Sequence, residues 1–312
     1  MFQPEAAETA QHAAEGAAGA FNPGEVILGH VSNGPHPLIH LPPVFGIDFS
    51  VTKHVLMLWI VAGLLFVIVT ATVRKFLRQD RPVPTGFMTV LEIVVEFVRD
   101  SIVEPNVGRK WTRTWTPVLL TIGFFILFAN LIGIIPIFDT LGLLNSTVIH
   151  PAEESFLASV VHGGATATGN LNVTAALATI SFFLIIIAGA MAHHGVINHF
   201  KNLVPKGISK GLLPILIPIE IMGMFVRPFA LMARLAANMT GGHIALLAII
   251  SFVFIFAQQF SAGVGIAVGT FLSVPLAVGV SALEAIVVVP VQAYVFTLLT
   301  AVFIGMAIHA HH

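Results

Sequence analysis

The 312-residue sequence contains no cysteine, and only 9% of its residues are charged. The absence of cysteine excludes disulfide bonds and thiolate metal sites. A soluble domain carries about 25% charged residues, so the low charge content excludes an ordinary soluble protein. A formal net charge of −1 gives no electrostatic support for nucleic-acid binding. The nucleotide-binding pattern Gly-x-x-x-x-Gly-Lys-Ser/Thr is also absent. We therefore expect no catalytic residues, no metal and no cofactor in this chain.

Hydrophobic residues, at 56%, dominate the sequence and are gathered into long runs. Runs near 20 residues are long enough to cross about 30 Å of hydrocarbon as helices. We predict an all-α polytopic membrane protein with about five membrane-embedded helices. Residues 1–50 are predicted to be an N-terminal tail and membrane approach, and residues 51–312 a single transmembrane domain. The predicted spans are 55–73, 115–138 and 173–192, followed by the stretches 212–257 and 262–308.

The segment Thr85–Val107 has a different pattern, in which apolar and charged residues occupy opposite sides of a helix. Such a helix more often lies along the membrane interface than across the bilayer. We predict an interfacial helix here. Its apolar positions are Met88, Leu91, Val95 and Val98, and its charged positions are Glu92, Glu96, Arg99 and Asp100.

The last two hydrophobic stretches are each near 46 residues, which as one helix would be about 70 Å long. Each is therefore either a hairpin of two spans or one steeply tilted helix. The segment Gln258–Gly265 is the one good turn between the stretches. The residues alone leave both alternatives open.

Basic residues predict the orientation of the chain. Loops 74–113 and 193–211 hold nearly all Lys and Arg residues, whereas loop 139–172 has none. Because cytoplasmic loops carry the excess of basic residues, the first two loops are predicted to be cytoplasmic. The N-terminus is then external.

Arg234 is the most informative residue, because it lies in a long apolar run and no Lys or Arg follows it. A guanidinium at the centre of a membrane helix costs about 2.5–3.5 kcal/mol on insertion scales. It cannot reduce that cost by losing its proton. One interpretation is a structural ion pair with Glu220 or Glu284. The other is a fixed charge that faces a moving ion or an acidic side chain.

Helical geometry places several polar residues relative to Arg234. Asn238 lies four residues later on the same face, and Glu220 and Arg227 fall within about 40° of that face. His243 is turned about 180° away. Glu220 and His243 also lie at different depths on either side of Arg234. This layout is typical of two offset half-channels separated by a positive barrier.

In the last stretch, Glu284 and Gln292 are eight residues apart and would lie about 80° from each other on a regular helix. Pro290 lies between them and makes a regular helix doubtful. A carboxylate here, with a histidine from the adjacent helix, suits proton relay near neutral pH.

With these motifs in this order, the sequence from about residue 44 to 305 resembles subunit a of the F-type ATP synthases. The motifs are Ile47-Asp48-Phe-Ser-Val-Thr-Lys53, Asn130-Leu-Ile-Gly-Ile-Ile-Pro136, Asn170-Leu-Asn172-Val-Thr174, Glu220, Arg227-Pro228, Arg234-Leu235, Asn238, Gly242 and Val291-Gln292-Ala-Tyr-Val-Phe-Thr-Leu-Leu299. The resemblance implies a non-catalytic, ion-translocating stator subunit whose last two helices are steeply tilted against a ring of c subunits. It also implies peripheral-stalk b subunits, the rest of the synthase and membrane lipid as partners, and a bacterial inner membrane as the location.

The resemblance further implies roles for individual residues. Arg234 would be the essential arginine that faces the ring carboxylate, with Asn238 and Gln292 as its neighbours. His243 and Glu284 would line the external half-channel, and Glu220 the cytoplasmic one. The remaining channel-lining candidates are Asn130, Asn170 and Asn172.

Two departures from the family pattern bear on these roles. Asn170 stands where the family usually has an acid, and Glu284 precedes Gln292 by eight residues rather than the common seven. A bulge near Pro290 would restore the facing of Glu284. Two other functions are compatible with the residues alone: a secondary transporter with an Arg-bound anionic substrate, and a purely structural scaffold. A transporter of that kind predicts internal repeats with interrupted helices, which the sequence does not show.

Overall fold

The computed structural model describes residues 50–78, 83–134, 167–202, 213–260 and 262–309, and these residues are helical almost throughout. Two π-helical segments, Val98–Val103 and Glu284–Val288, join α2 to α3 and α8 to α9. The predicted tail 1–50 lies outside the described residues except for its last residue. The helices are α1 Lys53–Leu77, α2 Phe87–Phe97, α3 Glu104–Val107, α4 Arg109–Ile134, α5 Leu171–Ala192, α6 Val196–Asn202, α7 Leu213–Gln259, α8 Ala262–Leu283 and α9 Val289–Ile308.

Five helices in the described ranges are long and apolar enough to cross a membrane. They are α1, α4, α5, α7 and the continuous run from α8 to α9. The fold class predicted from the sequence is therefore confirmed. Each of the last two stretches is one uninterrupted helical run, so the hairpin alternative was wrong. The steep tilt of these runs in a membrane stays a prediction.

The predicted amphipathic segment is helical from Phe87 through α2, the π segment and α3. Its short α2 is not among the five candidate spans. Four large apolar side chains of α2 are exposed: Phe87, Val90, Ile93 and Phe97. These side chains are not the predicted apolar positions, of which Leu91 and Val98 are buried in the protein, and the interfacial location of the helix stays a prediction.

The described residues fall into two compact units, and the smaller one comprises Gly242–Ala282. In this unit the end of α7 packs against α8 at very short range. A Cβ at Gly265 would collide with the backbone of Phe256, and one at Gly269 with that of Val253. Small residues at i and i+4 allow such close approach between membrane helices. The break between Gln259 and Ala262 falls within the predicted turn.

The larger unit contains the other described residues and is built around α9. Helices α4, α5 and α3 all pack on α9. Two glycines permit this packing. A Cβ at Gly305 would collide with the carbonyl of Asn106, and one at Gly123 would lie 2.7 Å from Oγ1 of Thr297. These contacts hold α9 as a tightly packed central helix.

The turn between α5 and α6 buries a histidine. The side chain of His199 is 3% exposed, and its ring stacks on that of His193 with 5.9 Å between centroids. Gly189 provides the space, since a Cβ there would overlap the imidazole of His199. Burial lowers the pKa of His199 below 6.5, and the nearby His193 lowers it further.

We expect acidification to loosen this turn. The imidazole of His199 binds a proton less readily in the folded state than in the unfolded state. The contribution of His199 to the free energy of unfolding is therefore complete above pH 6.5 and is lost as the pH falls below that value. His199→Gln should remove this part of the dependence. Thermal unfolding of the purified protein between about pH 7.5 and about pH 5.5 measures it.

The matched control is His194→Asn. His194 is exposed and has a positive φ of 55°, which asparagine tolerates. The control should keep the pH dependence of the parent protein. An unchanged pH dependence in His199→Gln would contradict the assignment.

Candidate ion-translocation site

Arg234 lies on an exposed side of α7, next to a buried stripe that fixes the helix to the bundle. Leu231, Leu235 and Met239 form the stripe and are 2%, 0% and 0% exposed. Leu231 and Leu235 pack into a core cluster with residues of α4, α5 and α9. Because residues four apart share a helix face, Arg234 and Asn238 lie together on the neighbouring side, where both are exposed. The predicted shared face of these two residues is confirmed.

The ion pair found on this helix does not involve Arg234. Nη2 of Arg227 lies 3.8 Å from Oε1 of Glu220, and the same guanidinium lies over the ring of Phe303, 5.9 Å from its centroid. Across the described ranges, no carboxylate forms an ion pair with Arg234. A structural pair between Arg234 and Glu220 or Glu284 is therefore absent from this part of the chain.

Asn238 connects α7 to α9 through a side-chain hydrogen bond. Its Nδ2 donates to Oε1 of Gln292 at 2.8 Å. Gln292 is 4% exposed, so its amide is held inside the bundle. The sequence predicted both residues only as neighbours of Arg234, and the contact between them comes from the structure. This contact places Gln292 beside the turn of α7 that follows Arg234.

The π-helical segment Glu284–Val288 turns the side chain of Glu284 toward the side of the helix that carries Gln292. A π turn accommodates one extra residue within a helix. Because the π turn takes up one residue, Glu284 and Gln292 are oriented like residues seven apart on an α-helix. The angle between their side chains around the helix axis is then about 20° rather than about 80°. Both side chains are 4% exposed. The sequence prediction of a possible bulge near Pro290 agrees with this segment, which ends two residues before the proline.

Glu284 has the most unusual environment of the predicted residues. Its Oε1 is buried and has no hydrogen-bond partner within the described ranges. An ionised carboxylate buried without a donor is strongly unfavourable. The side chain is therefore chemically suited to carry a proton rather than a permanent charge.

Asn130 lies in a small polar cluster at the end of α4. It is 0% exposed, and Oγ1 of Thr168 donates to its Oδ1. Thr240 of α7 donates through Oγ1 to the carbonyl of Gly169 at 3.3 Å. The cluster therefore brings Asn130 near the turn of α7 that carries Asn238. Sequence reasoning did not identify Thr168, which lies shortly before a predicted span, or Thr240, which lies inside the predicted stretch 212–257.

Asn170 and Asn172 have different environments. Asn170 is the N-cap of α5, and its Oδ1 accepts the backbone N–H of Asn172 at 2.8 Å. Asparagine is among the preferred residues at this position, so capping accounts for Asn170 locally. The side chain of Asn172 is exposed. The structure therefore gives Asn170 a local structural role, and its channel role stays a prediction.

His243 belongs to the smaller unit and is partly exposed. Its predicted association with Glu284 stays a prediction. Within the described part of the chain, no group of three or more His, Cys, Asp and Glu side chains is arranged to hold a metal ion.

These features define an integral helical membrane protein with polar side chains placed inside long apolar helices. Residues 55–305 match the family model described as ATP synthase A chain. The chain is 38% identical to "ATP synthase subunit a 2" of Chlorobium luteolum, covering 98% of this chain and 80% of the relative. It is 36% identical to "ATP synthase subunit a" of Anaeromyxobacter dehalogenans, covering 93% and 71%. The chain belongs to the ATP synthase subunit a family.

Subunit a is the stator part of the proton-translocating membrane sector, and the chain works within the ATP synthase complex. The chain accordingly takes part in ATP synthesis and ion transport, and its bacterial relatives fit an inner-membrane location. Membership decides between the functions that the residues left open, in favour of the synthase subunit.

We expect the π segment to tolerate removal of one residue. Deleting Ala285 converts the segment to a regular helix and keeps Glu284 within about 20° of Gln292. Thermal unfolding and assembly into the complex should stay close to those of the parent protein.

Deleting Val295 is the matched comparison, because it lies in the regular part of α9. That deletion rotates the two parts of α9 by about 100° and should abolish assembly. Equal damage from both deletions would contradict the role of the π segment.

Proposed function

We propose that this chain forms two offset proton half-channels against the ring of c subunits, with Arg234 between them. The observation that supports this proposal most strongly is the exposed guanidinium of Arg234, which has no ion pair among the described side chains. A permanent charge within an apolar helix is costly unless it has a partner or a function. Since Glu220 is engaged by Arg227, a carboxylate of another subunit is the natural partner.

Arg234 acts on the ring carboxylate through electrostatics. A nearby guanidinium favours the ionised form of a carboxyl group over the protonated form. It therefore promotes release of the proton into the cytoplasmic half-channel. Because arginine stays charged at every physiological pH, it also repels protons that would pass directly from one half-channel to the other.

The external half-channel contains His243 and Glu284. The buried, unsatisfied carboxyl oxygen of Glu284 supports a role in holding a proton. Asn130 and Asn172 help to line this path, and Asn170 stands at its mouth. On the cytoplasmic side, Glu220 lines the exit.

Translocation then follows a fixed order. A proton enters past His243 and Glu284 and neutralises a ring carboxylate. The neutral acid can move into lipid, which the ionised form could do only at high cost. After nearly a full turn, the acid reaches the half-channel near Glu220 and loses its proton beside Arg234. The driving energy is about 2.3 kcal/mol per charge per 100 mV.

We also propose which molecules border the chain and how it is oriented in the membrane. The chain carries out no bond chemistry, and peripheral-stalk b subunits and lipid border it. The N-terminus is external, because the basic loops 74–113 and 193–211 lie on the cytoplasmic side.

Replacing Arg234 tests the mechanism directly. Arg234→Ala should abolish ATP-driven proton pumping in inverted membrane vesicles, because ring carboxylates are no longer driven to release their protons. Arg234→Lys should also lose most pumping, since an ammonium lacks the planar fork of the guanidinium. The control Arg74→Ala removes an exposed charge at the end of α1 and should pump normally. Normal pumping in both Arg234 variants would overturn the proposal.

Glu284→Gln tests the external half-channel separately. The substitution keeps the size of the side chain and removes its ability to bind and release a proton. Pumping should fall by about a hundredfold or more, because a positioned proton-transferring group typically contributes about 10²–10⁴-fold. Unchanged proton flux, measured with a pH-sensitive dye in the same vesicles, would remove Glu284 from the pathway.

A further inference from the structure

An apolar cavity lies between α1, α2 and α4, away from the site just described. Its volume is about 590 Å³, and its lining is almost entirely apolar. Glu92, which is partly buried, is the one acidic side chain in the lining. Each helix contributes bulky apolar side chains to the wall. Representative ones are Phe66, Val69, Leu91, Val95, Leu120 and Phe124.

A second cavity, of about 660 Å³, adjoins the first, and charged and hydroxyl-bearing residues form much of its lining. The two cavities share Val95, Pro117 and Leu120 in their linings. The second cavity is also lined by three arginines, one glutamate and two threonines. The pair of cavities thus forms one surface, apolar at one end and basic at the other.

The three arginines of the polar end differ in their pairing. Arg99 is held by Asp100, with Nε to Oδ1 at 2.6 Å and Nη2 to Oδ2 at 2.9 Å. Nε of Arg109 donates to Oε1 of Glu104 at 2.8 Å. Arg113 is exposed and forms no ion pair in the described ranges. The hydroxyls of Thr112 and Thr116 donate to the backbone carbonyls four residues earlier. The polar end therefore has an uncompensated cation at Arg113.

We propose that this surface binds one anionic phospholipid, with its phosphate at Arg113 and an acyl chain in the apolar cavity. The order of the residues along α4 matches the order of groups in a lipid. Arg113 lies four residues, about 6 Å, before Pro117, where the apolar cavity begins. Arg113 also belongs to the basic loop assigned to the cytoplasmic side, where the leaflet carries anionic lipids.

The charge pattern favours a lipid over other occupants. A free phosphate ion would use the guanidinium but would leave the apolar cavity unfilled. A helix from a partner subunit would fill the cavity but would bury the unpaired guanidinium against protein, which is strongly unfavourable without a counter-charge. A phospholipid satisfies both ends with one molecule. Glu92 lines the apolar cavity and not the basic one, and its carboxylate would repel a phosphate. The lipid phosphate therefore lies at the basic end, beside Arg113.

The absence of native cysteine in this chain allows a site-specific test. Thr121 lines the apolar cavity and is exposed, so Thr121→Cys can carry a photoreactive maleimide. The intact complex is reconstituted in vesicles of equal phosphatidylglycerol and phosphatidylcholine, illuminated, and the adducts on this subunit are identified by mass spectrometry. Val69→Cys, on the opposite wall, provides a second attachment point.

We expect phosphatidylglycerol adducts to exceed phosphatidylcholine adducts at both positions. Adding Arg113→Gln should reduce that preference about fivefold, the effect of one basic residue near an anionic surface. Arg78→Gln removes an exposed arginine that lines neither cavity and should leave the preference unchanged.

Three outcomes would overturn the proposal. They are adducts in the bulk lipid ratio, adducts with another polypeptide in place of lipid, and loss of the preference on addition of inorganic phosphate alone. The last outcome would identify a simple anion site, and the second a protein interface. Proton pumping does not enter the readout, so the result is independent of the half-channel proposal.

Discussion

The cost of placing polar groups in hydrocarbon governs this structure, because each such group must find a partner inside the protein. Most hydroxyls in the long helices satisfy this requirement locally. They donate to the carbonyl four residues earlier, as Thr116, Thr297, Thr300 and Ser251 do. Arg234 and the Oε1 atom of Glu284 have no such solution in the described residues. Other buried atoms of the described residues, such as Nδ2 of Asn130 and Oγ of Ser181, also lack a hydrogen-bond partner, so the transport role of Arg234 and Glu284 is our proposal.

Helix α9 supports the larger unit because its neighbours approach it very closely. Gly305 and Gly123 remove side chains where α3 and α4 cross it. A rigid central helix keeps Gln292 in place as the partner of Asn238. The adjoining π segment then lets Glu284 face the same side without disturbing the packing of α9. An irregular backbone thus adjusts one side chain while the regular helix preserves the core.

Helix α4 links the two regions of proposed function. Its beginning carries Arg113 and Pro117 in the basic and apolar cavities. Its end carries Asn130 in the polar cluster with Thr168. The buried face between them packs through Leu119, Ile122 and Ile126. One helix therefore carries the proposed lipid site and the channel candidate Asn130 at opposite ends, held by a common apolar core.

The features that the sequence predicted are those that depend on residues close together in the chain. Hydropathy over 20 residues sets where helices lie, and the period of 3.6 residues sets that Arg234 and Asn238 share a face. Contacts between helices were beyond this reasoning, because they depend on how separate helices pack. The bond from Asn238 to Gln292 and the cluster around Thr168 are of this kind. The π segment lies between these cases: the spacing of Glu284 and Gln292 suggested it, and only packing, which buries both side chains, decided where the extra residue is absorbed.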